Sequence, residues 1–211
     1  MSSGAGLRPA RIYAIADAEA LAPRSLAEGA VAMAEAGILT IQLRAKHMED
    51  RLLFAEAESC LRRLESWPGM LWIDDRVDLA MLLPFSGVHL GQSDIPATSA
   101  RRLLAASQCL GLSTHDGDQL AAADRESAVD WVALGPIYPT RSKRNPEPVV
   151  GLEALRVLRA RTAKPLVAIG GVKPANIGEL LAAGADSVAV LSAICSGDVA
   201  HNCRELLAAA A

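Results

Sequence analysis

The chain repeats one alternation from end to end: a short apolar run, a segment with helical spacing, then the next run. Apolar runs stand at 12–16, 38–43, 70–73, 87–90, 109–112, 131–134, 166–169 and 188–191. Helix-like stretches follow at 25–36, 49–65, 77–83, 98–106, 116–123, 152–159, 174–183 and 199–209. Within 49–65, Leu52, Leu53, Ala57, Leu61 and Leu64 fall on one side of a helix, Gly37 ends the first helix, and Pro174 suits a first helical turn. Strands joined through helices must run parallel, with right-handed crossovers. Eight strand–helix pairs in 211 residues predict an α/β chain folded as a single-domain (β/α)8 barrel over 1–211, with 1–10 as a flexible N-terminal tail. An open doubly wound sheet is the competitor, but no G-x-G-x-x-G follows the first run, where a dinucleotide fold needs it.

Polar, charged and glycine-rich clusters come almost without exception just after an apolar run. Gln42-Leu43-Arg44-Ala45-Lys46, Asp74-Asp75-Arg76, Gly91-Gln92-Ser93-Asp94, Ser113-Thr114-His115, Thr140-Arg141-Ser142-Lys143, Gly170-Gly171 and Ser192 all do so. If the runs are parallel strands, these clusters gather at one rim, where α/β folds place their chemistry. The long connection 135–150, with five Pro or Gly residues, is unusual between a strand and a helix and predicts a functional loop over the barrel mouth.

Asp75 and Asp94 end successive strands, so a barrel makes them neighbours. Two hard oxygen donors with room for phosphate oxygens suit Mg2+. Helix or turn capping is the competing role for each, since Asp is a favoured cap. Gln42, Arg44 and Lys46 stand in i, i+2, i+4 relation and point to one side if the strand geometry persists, converging on an anion. Lys143 adds a cation from the long loop. Gly170-Gly171 and Leu191-Ser192 follow the last two runs, where such barrels commonly bind phosphate, although a Gly pair alone fits a tight turn. His89 lies inside a run and reads as a structural side chain, His115 is placed to touch a ligand, and His47 and His201 read as surface residues. No Ser-His-Asp or Cys-His arrangement is legible.

A net charge of -3 and the lack of a Lys/Arg-rich run argue against nucleic acid. The four cysteines (Cys60, Cys109, Cys195, Cys203) are dispersed without C-x-x-C spacing and read as buried small hydrophobes in a reducing compartment. Without an apolar segment of membrane-spanning length or a signal-like N-terminus, a cytoplasmic, soluble protein is expected.

Several of these segments together resemble thiamine phosphate synthase. They are Gln42-Leu43-Arg44-Ala45-Lys46, Asp75-Arg76-Val77-Asp78-Leu79-Ala80, Gly87-Val88-His89-Leu90-Gly91-Gln92-Ser93-Asp94, Gly135-Pro136-Ile137-Tyr138-Pro139-Thr140 and Ala168-Ile169-Gly170-Gly171-Val172, joined by Ser113-Thr114-His115 and Ser192-Ala193-Ile194. The resemblance covers nearly the whole chain in the family's order. It implies a (β/α)8 enzyme that transfers a 4-amino-2-methylpyrimidine-5-methyl group from its diphosphate to 4-methyl-5-(2-phosphoethyl)thiazole, releasing diphosphate. By matching positions it implies that Gln42, Arg44, Lys46, Asp74, Ser113 and Lys143 hold the pyrimidine diphosphate. Asp75 and Asp94 would ligate Mg2+, and Thr140, Ser142, Gly171, Leu191 and Ser192 would hold the thiazole phosphate.

The implied partners are small molecules, with no nucleic acid or membrane; homo-oligomerisation stays open. Three positions depart from the family's pattern: Asp74 replaces a usual Asn, Ala45 a usual acid, and Ser142 a usual Thr. At Asp74 an amide donor is lost and negative charge is added near the diphosphate. A thiazole tautomerase-like or regulatory phosphate binder of the same fold is the alternative. That sister group typically lacks the metal aspartates and the Thr-x-Thr-Lys-like loop, here Thr140 to Lys143.

Overall fold

Successive residues of a strand face opposite sides, and each apolar run of this chain is apolar on both. Such strands need cover on either face, which a barrel ringed by helices provides. The structure, a computed structural model, describes residues 8–140, 142 and 147–211. Its eight strands are β1 (Ile12–Asp17), β2 (Thr40–Arg44), β3 (Met70–Asp74), β4 (Gly87–Leu90), β5 (Cys109–Thr114), β6 (Trp131–Leu134), β7 (Leu166–Ile169) and β8 (Ser187–Val190). All pair in parallel and in chain order, and β1 also pairs with β8 through Ile12↔Val188 and Ala14↔Val190, closing the barrel. The helices are α1 (Ala18–Leu21), α2 (Leu26–Glu35), α3 (Asp50–Arg63), α4 (Val77–Leu82), α5 (Ala97–Leu103), α6 (Gly117–Arg125), α7 (Leu152–Arg159), α8 (Pro174–Ala182), α9 (Ser192–Cys195) and α10 (Val199–Ala209).

The two strand faces feed two separate cores. Ile12, Ala14, Ile41, Leu43, Val88, Leu110, Val132 and Val188 point outward and pack under the helices. Tyr13, Ile15, Trp72, Cys109, Trp131, Ala133, Val167 and Ala189 fill the barrel itself. Tyr13, Trp72 and Trp131 meet edge to face, with ring centroids 5.3 to 6.4 Å apart, so three large rings plug the lumen. Glycines make the room: a Cβ on Gly87 would lie 2.5 Å from the Trp72 ring, and one on Gly111 would lie 2.3 Å from Trp131.

The lower, N-terminal end of the barrel is braced in four places by one device. At the start of each even-numbered strand a side-chain oxygen accepts a backbone N–H from the preceding odd-numbered strand or the residue leading into it. Thr40 Oγ1 takes Ala10 N at 2.9 Å, Ser86 Oγ takes Leu71 N at 3.1 Å, Asp130 Oδ2 takes Leu110 N at 2.7 Å, and Asp186 Oδ2 takes Leu166 N at 2.8 Å. The expected tail over 1–10 is therefore held at its inner end, where Pro9 is buried and Ala10 O also accepts from Ser187 Oγ.

The strand expected from 38 begins instead at Thr40. Gly37 takes a positive φ of 99° after α2, Gly37 N donates to Ala34 O and Ile38 N to Met33 O, so residue 38 still closes the helix end. The helices α1 and α9, four residues each, were not expected, because one turn shows no periodicity.

Candidate active site

The C-terminal ends of the strands surround a cavity of about 310 Å³. It is lined by every site residue expected from the sequence except Lys143, which lies outside the described residues. Gln42 and Arg44 stand on the inward side of β2 and line the cavity, where Gln42 Nε2 donates to the hydroxyl of Tyr13, buried in the lumen core, at 3.1 Å. Arg44 is fixed on two sides, by an ion pair to Asp17 at the end of β1 and by Asp74 Oδ2, 3.5 Å from its Nε. Lys46 lies 3.2 Å from Asp74 and forms a second ion pair with Asp75.

Asp75 is the only non-glycine among the described residues with positive φ, at 61°. Its N–H donates to His89 O at 2.8 Å, which turns the chain sharply out of β3. Capping does not account for it, because Arg76 is the N-cap of α4 and no side chain caps that helix. Asp94 does not cap α5 but does cap the turn before Pro96, its Oδ2 accepting from Gly91 N at 2.6 Å, and it lines the same cavity as Asp75. Burial, with the Asp75 charge adding to it, raises the Asp94 carboxyl above its usual range.

Asp74, almost fully enclosed, is pushed up to about 6, first by burial and then by the Asp75 charge, with Lys46 and Arg44 pulling the other way. Although burial opposes its charged form, Lys46 is held above its ordinary value by Asp74 and Asp75. Four carboxylates (Asp17, Asp74, Asp75, Asp94) thus face two cations, Arg44 and Lys46, among the described residues. The excess of negative charge, and an ammonium already drawn against Asp75, mark a place that accepts further positive charge. No group of three or more His, Cys, Asp or Glu forms a metal cluster among the described residues. Two hard carboxylates nonetheless match Mg2+, which fills its other positions with water and phosphate oxygens.

On the opposite wall, Gly170 and Gly171 take φ of 97° and 67°. Cβ atoms there would lie 2.5 Å from Pro136 and 2.7 Å from Tyr138, so only glycine lets the segment after β6 cross over the end of β7. That crossing brings Thr140 and Ser142 to the cavity beside Gly171, Leu191 and Ser192, with Ser142 N donating to Thr140 Oγ1 at 3.2 Å. Leu191 is the N-cap of α9, whose first amides have no acceptor inside the helix.

Tyr13, Asp17 and His89 belong to the site and were missed as such. Asp17 directly follows the run 12–16, the position that singled out every other cluster. His89 lines the cavity, stacked on Trp131 and 2.8 Å from Ser113 Oγ through Nε2. His115 also reaches the cavity, with Nδ1 2.6 Å from Gly135 O, whereas His47 and His201 are exposed, as expected. The four cysteines are buried and none is in a disulfide; burial raises the thiols of Cys60 and Cys203 to about 12 and of Cys195 to about 11. Cys60, Cys195 and Cys203 are thereby held as thiols rather than thiolates.

Comparison with known proteins places this geometry. Residues 12–194 match the family model described as thiamine monophosphate synthase. The thiamine-phosphate synthase of Koribacter versatilis is 41% identical over 191 residues, covering 89% of this chain and 90% of the relative. That of Albidiferax ferrireducens is 40% identical, covering 90% and 86%. The structure of a thiamine phosphate pyrophosphorylase from Pyrococcus furiosus superposes with a TM-score of 0.84 at 29% identity, covering 95% of each chain.

Proposed function

The chain belongs to the thiamine monophosphate synthase family, and we propose that its cavity binds the two substrates on opposite walls, with the roles assigned below. The reaction is a transfer: the C–O bond between the pyrimidine methylene and diphosphate breaks, a C–N bond to the thiazole nitrogen forms, and thiamine phosphate and diphosphate leave. The observation that carries the assignment is the meeting of Asp75 and Asp94 in the same cavity as Gly171 and Ser192. One wall offers carboxylates and cations to a diphosphate, the other offers hydroxyls and helix-end amides to a monophosphate.

Arg44 and Lys46 bind the diphosphate, and their charge balances what accumulates as the leaving group departs. Arg44 cannot swing away, because Asp17 and Asp74 hold it. Gln42 and Ser113 place the pyrimidine end, with Lys143 assigned to the diphosphate from its sequence position. Asp75 and Asp94 would hold Mg2+, which supplies positive charge to the diphosphate oxygens. Thr140, Ser142, Gly171, Leu191 and Ser192 hold the thiazole phosphate, orienting its ring nitrogen toward the methylene.

The electron-rich aminopyrimidine can carry positive charge on the methylene as the C–O bond opens, so no protein nucleophile is required. Ile15, Ala133, Ile169 and Ala189 line the cavity with apolar side chains that offer water no hydrogen-bond partner. Four buried thiols outside any disulfide suit a reducing compartment, and we place the reaction in the cytoplasm. No helix among the described residues is long and apolar enough to cross a membrane.

A phosphate-binding module without catalysis would need the glycine wall but not the aspartates. Incubating the purified protein with both substrates and Mg2+ and assaying thiamine phosphate tests the reading; no product refutes it. Asp75→Ala should abolish turnover while thiazole phosphate binding, followed by calorimetry, stays within about twofold of the parent.

A further inference from the structure

His89 lies on the inward side of β4 with only 7% of its surface exposed. Its ring stacks on Trp131, with centroids 4.7 Å apart and planes 19° from parallel. Gly111 meets its edge, where a Cβ would come within 2.6 Å of Nδ1. Held on face and edge, the imidazole presents Nε2 to Ser113 Oγ at 2.8 Å. The main chain of Ser113 is fixed as well, its carbonyl accepting from Gln92 Nε2 at 2.6 Å. Both contacts come from β4 and the turn that follows it, the turn that also carries Asp94.

A hydroxyl has one hydrogen to give. If Ser113 spends it on the imidazole, only lone pairs face the cavity, and lone pairs repel an anion. We infer that His89 is a positioning residue for the transfer: its Nε2–H donates to Ser113 Oγ and so aims the Ser113 hydrogen at the diphosphate. The inference rests on the assignment of Ser113 to the pyrimidine diphosphate made above. The accepted bond also polarises the hydroxyl and strengthens its own donation. The pair lies on β4 and β5, the side of the barrel that carries Asp94, so the effect falls on the diphosphate.

The test is a double-mutant cycle read as binding of inorganic diphosphate with Mg2+ by calorimetry, with thiazole phosphate binding as the control. His89→Phe keeps a flat ring on Trp131 and removes the donor, and Ser113→Ala removes the hydroxyl. Each should weaken diphosphate binding about tenfold, the size of one hydrogen bond to a charged group, and the double variant should be no weaker than either single. His89→Gln, whose amide nitrogen reaches the Nε2 position, should restore affinity to within about threefold, and thiazole phosphate binding should hold within about twofold throughout.

Losses that multiply in the double variant, a His89→Gln as weak as His89→Phe, or a parallel fall in thiazole phosphate binding overturn the inference. Should His89→Phe fail to fold, His89→Gln against His89→Asn carries the same comparison, because asparagine cannot reach Ser113; equal losses then overturn it. A parent protein that binds diphosphate but forms no thiamine phosphate would refute the functional reading while leaving the cycle interpretable.

Discussion

Replacing Asp74 by Asn tests whether a buried carboxylate in the substrate pocket is kept at a cost to stability. Its carboxyl is moved from the ordinary 3.8 to about 6, mainly by burial. At about 1.36 kcal/mol per unit, that displacement corresponds to about 3 kcal/mol of native-state destabilisation once the group is ionised. Its attraction to Lys46 and Arg44 is already part of that balance, so the expected net gain at neutral pH is about 2–3 kcal/mol.

The sign follows from proton linkage. The folded protein holds the proton more tightly than the unfolded chain, so this group's favourable contribution is complete below about pH 4 and lost as pH rises through about 6. Asp94, also raised, contributes a slope of the same sign in both proteins, and the comparison removes it. Denaturant unfolding of parent and Asp74→Asn in metal-free buffer should therefore coincide near pH 4 and separate in favour of the variant by about pH 7. A variant less stable than the parent at neutral pH, or a difference independent of pH, would refute the reasoning.

Three other outcomes follow from packing and burial. Gly111→Ala drives a Cβ to 2.3 Å from the Trp131 ring and should cost about 1–3 kcal/mol in unfolding free energy; an unchanged transition midpoint would show that the lumen yields. Asp130→Ala removes the acceptor of the buried Leu110 amide and the partner of Arg101 at the end of the barrel away from the cavity, so unfolding should show a loss of about 1–3 kcal/mol while kcat and KM stay put. The four thiols should stay unreactive toward a disulfide reagent at neutral pH until the protein unfolds; rapid titration of a native thiol would contradict the burial that raises Cys60, Cys195 and Cys203.

The barrel was legible because its period is coarse: eight apolar runs, seven of them followed by a polar cluster, survive errors of two residues in any boundary. Asp75 and Asp94 were legible for the same reason; the structure removes helix capping for Asp75 by giving α4 a different N-cap, whereas Asp94 does cap the turn before Pro96 through Gly91 N while lining the cavity. His89 was read as structural because it sits within a run rather than after one. The i, i+2, i+4 argument applied to Gln42, Arg44 and Lys46 also holds for Gly87, His89 and Gly91 and would have put the imidazole in the lumen. The edge-to-face plug of Tyr13, Trp72 and Trp131 had no local signal, since the three residues lie on β1, β3 and β6 and meet only when the barrel closes.

The four braces at the lower end divide the wall into two-strand modules, each tied within itself: β1 with β2, β3 with β4, β5 with β6, β7 with β8. A circularly permuted chain opened at the stretch between α3 and β3, or between α5 and β5, would begin and end at a seam between modules and keep both strands of every module on one continuous stretch. Opening between α4 and β4 would sever the connection inside a module, leaving Ser86 at a new terminus with its Leu71 bond to fray. Where the polypeptide can be cut and rejoined is thus set at the mouth opposite the chemistry.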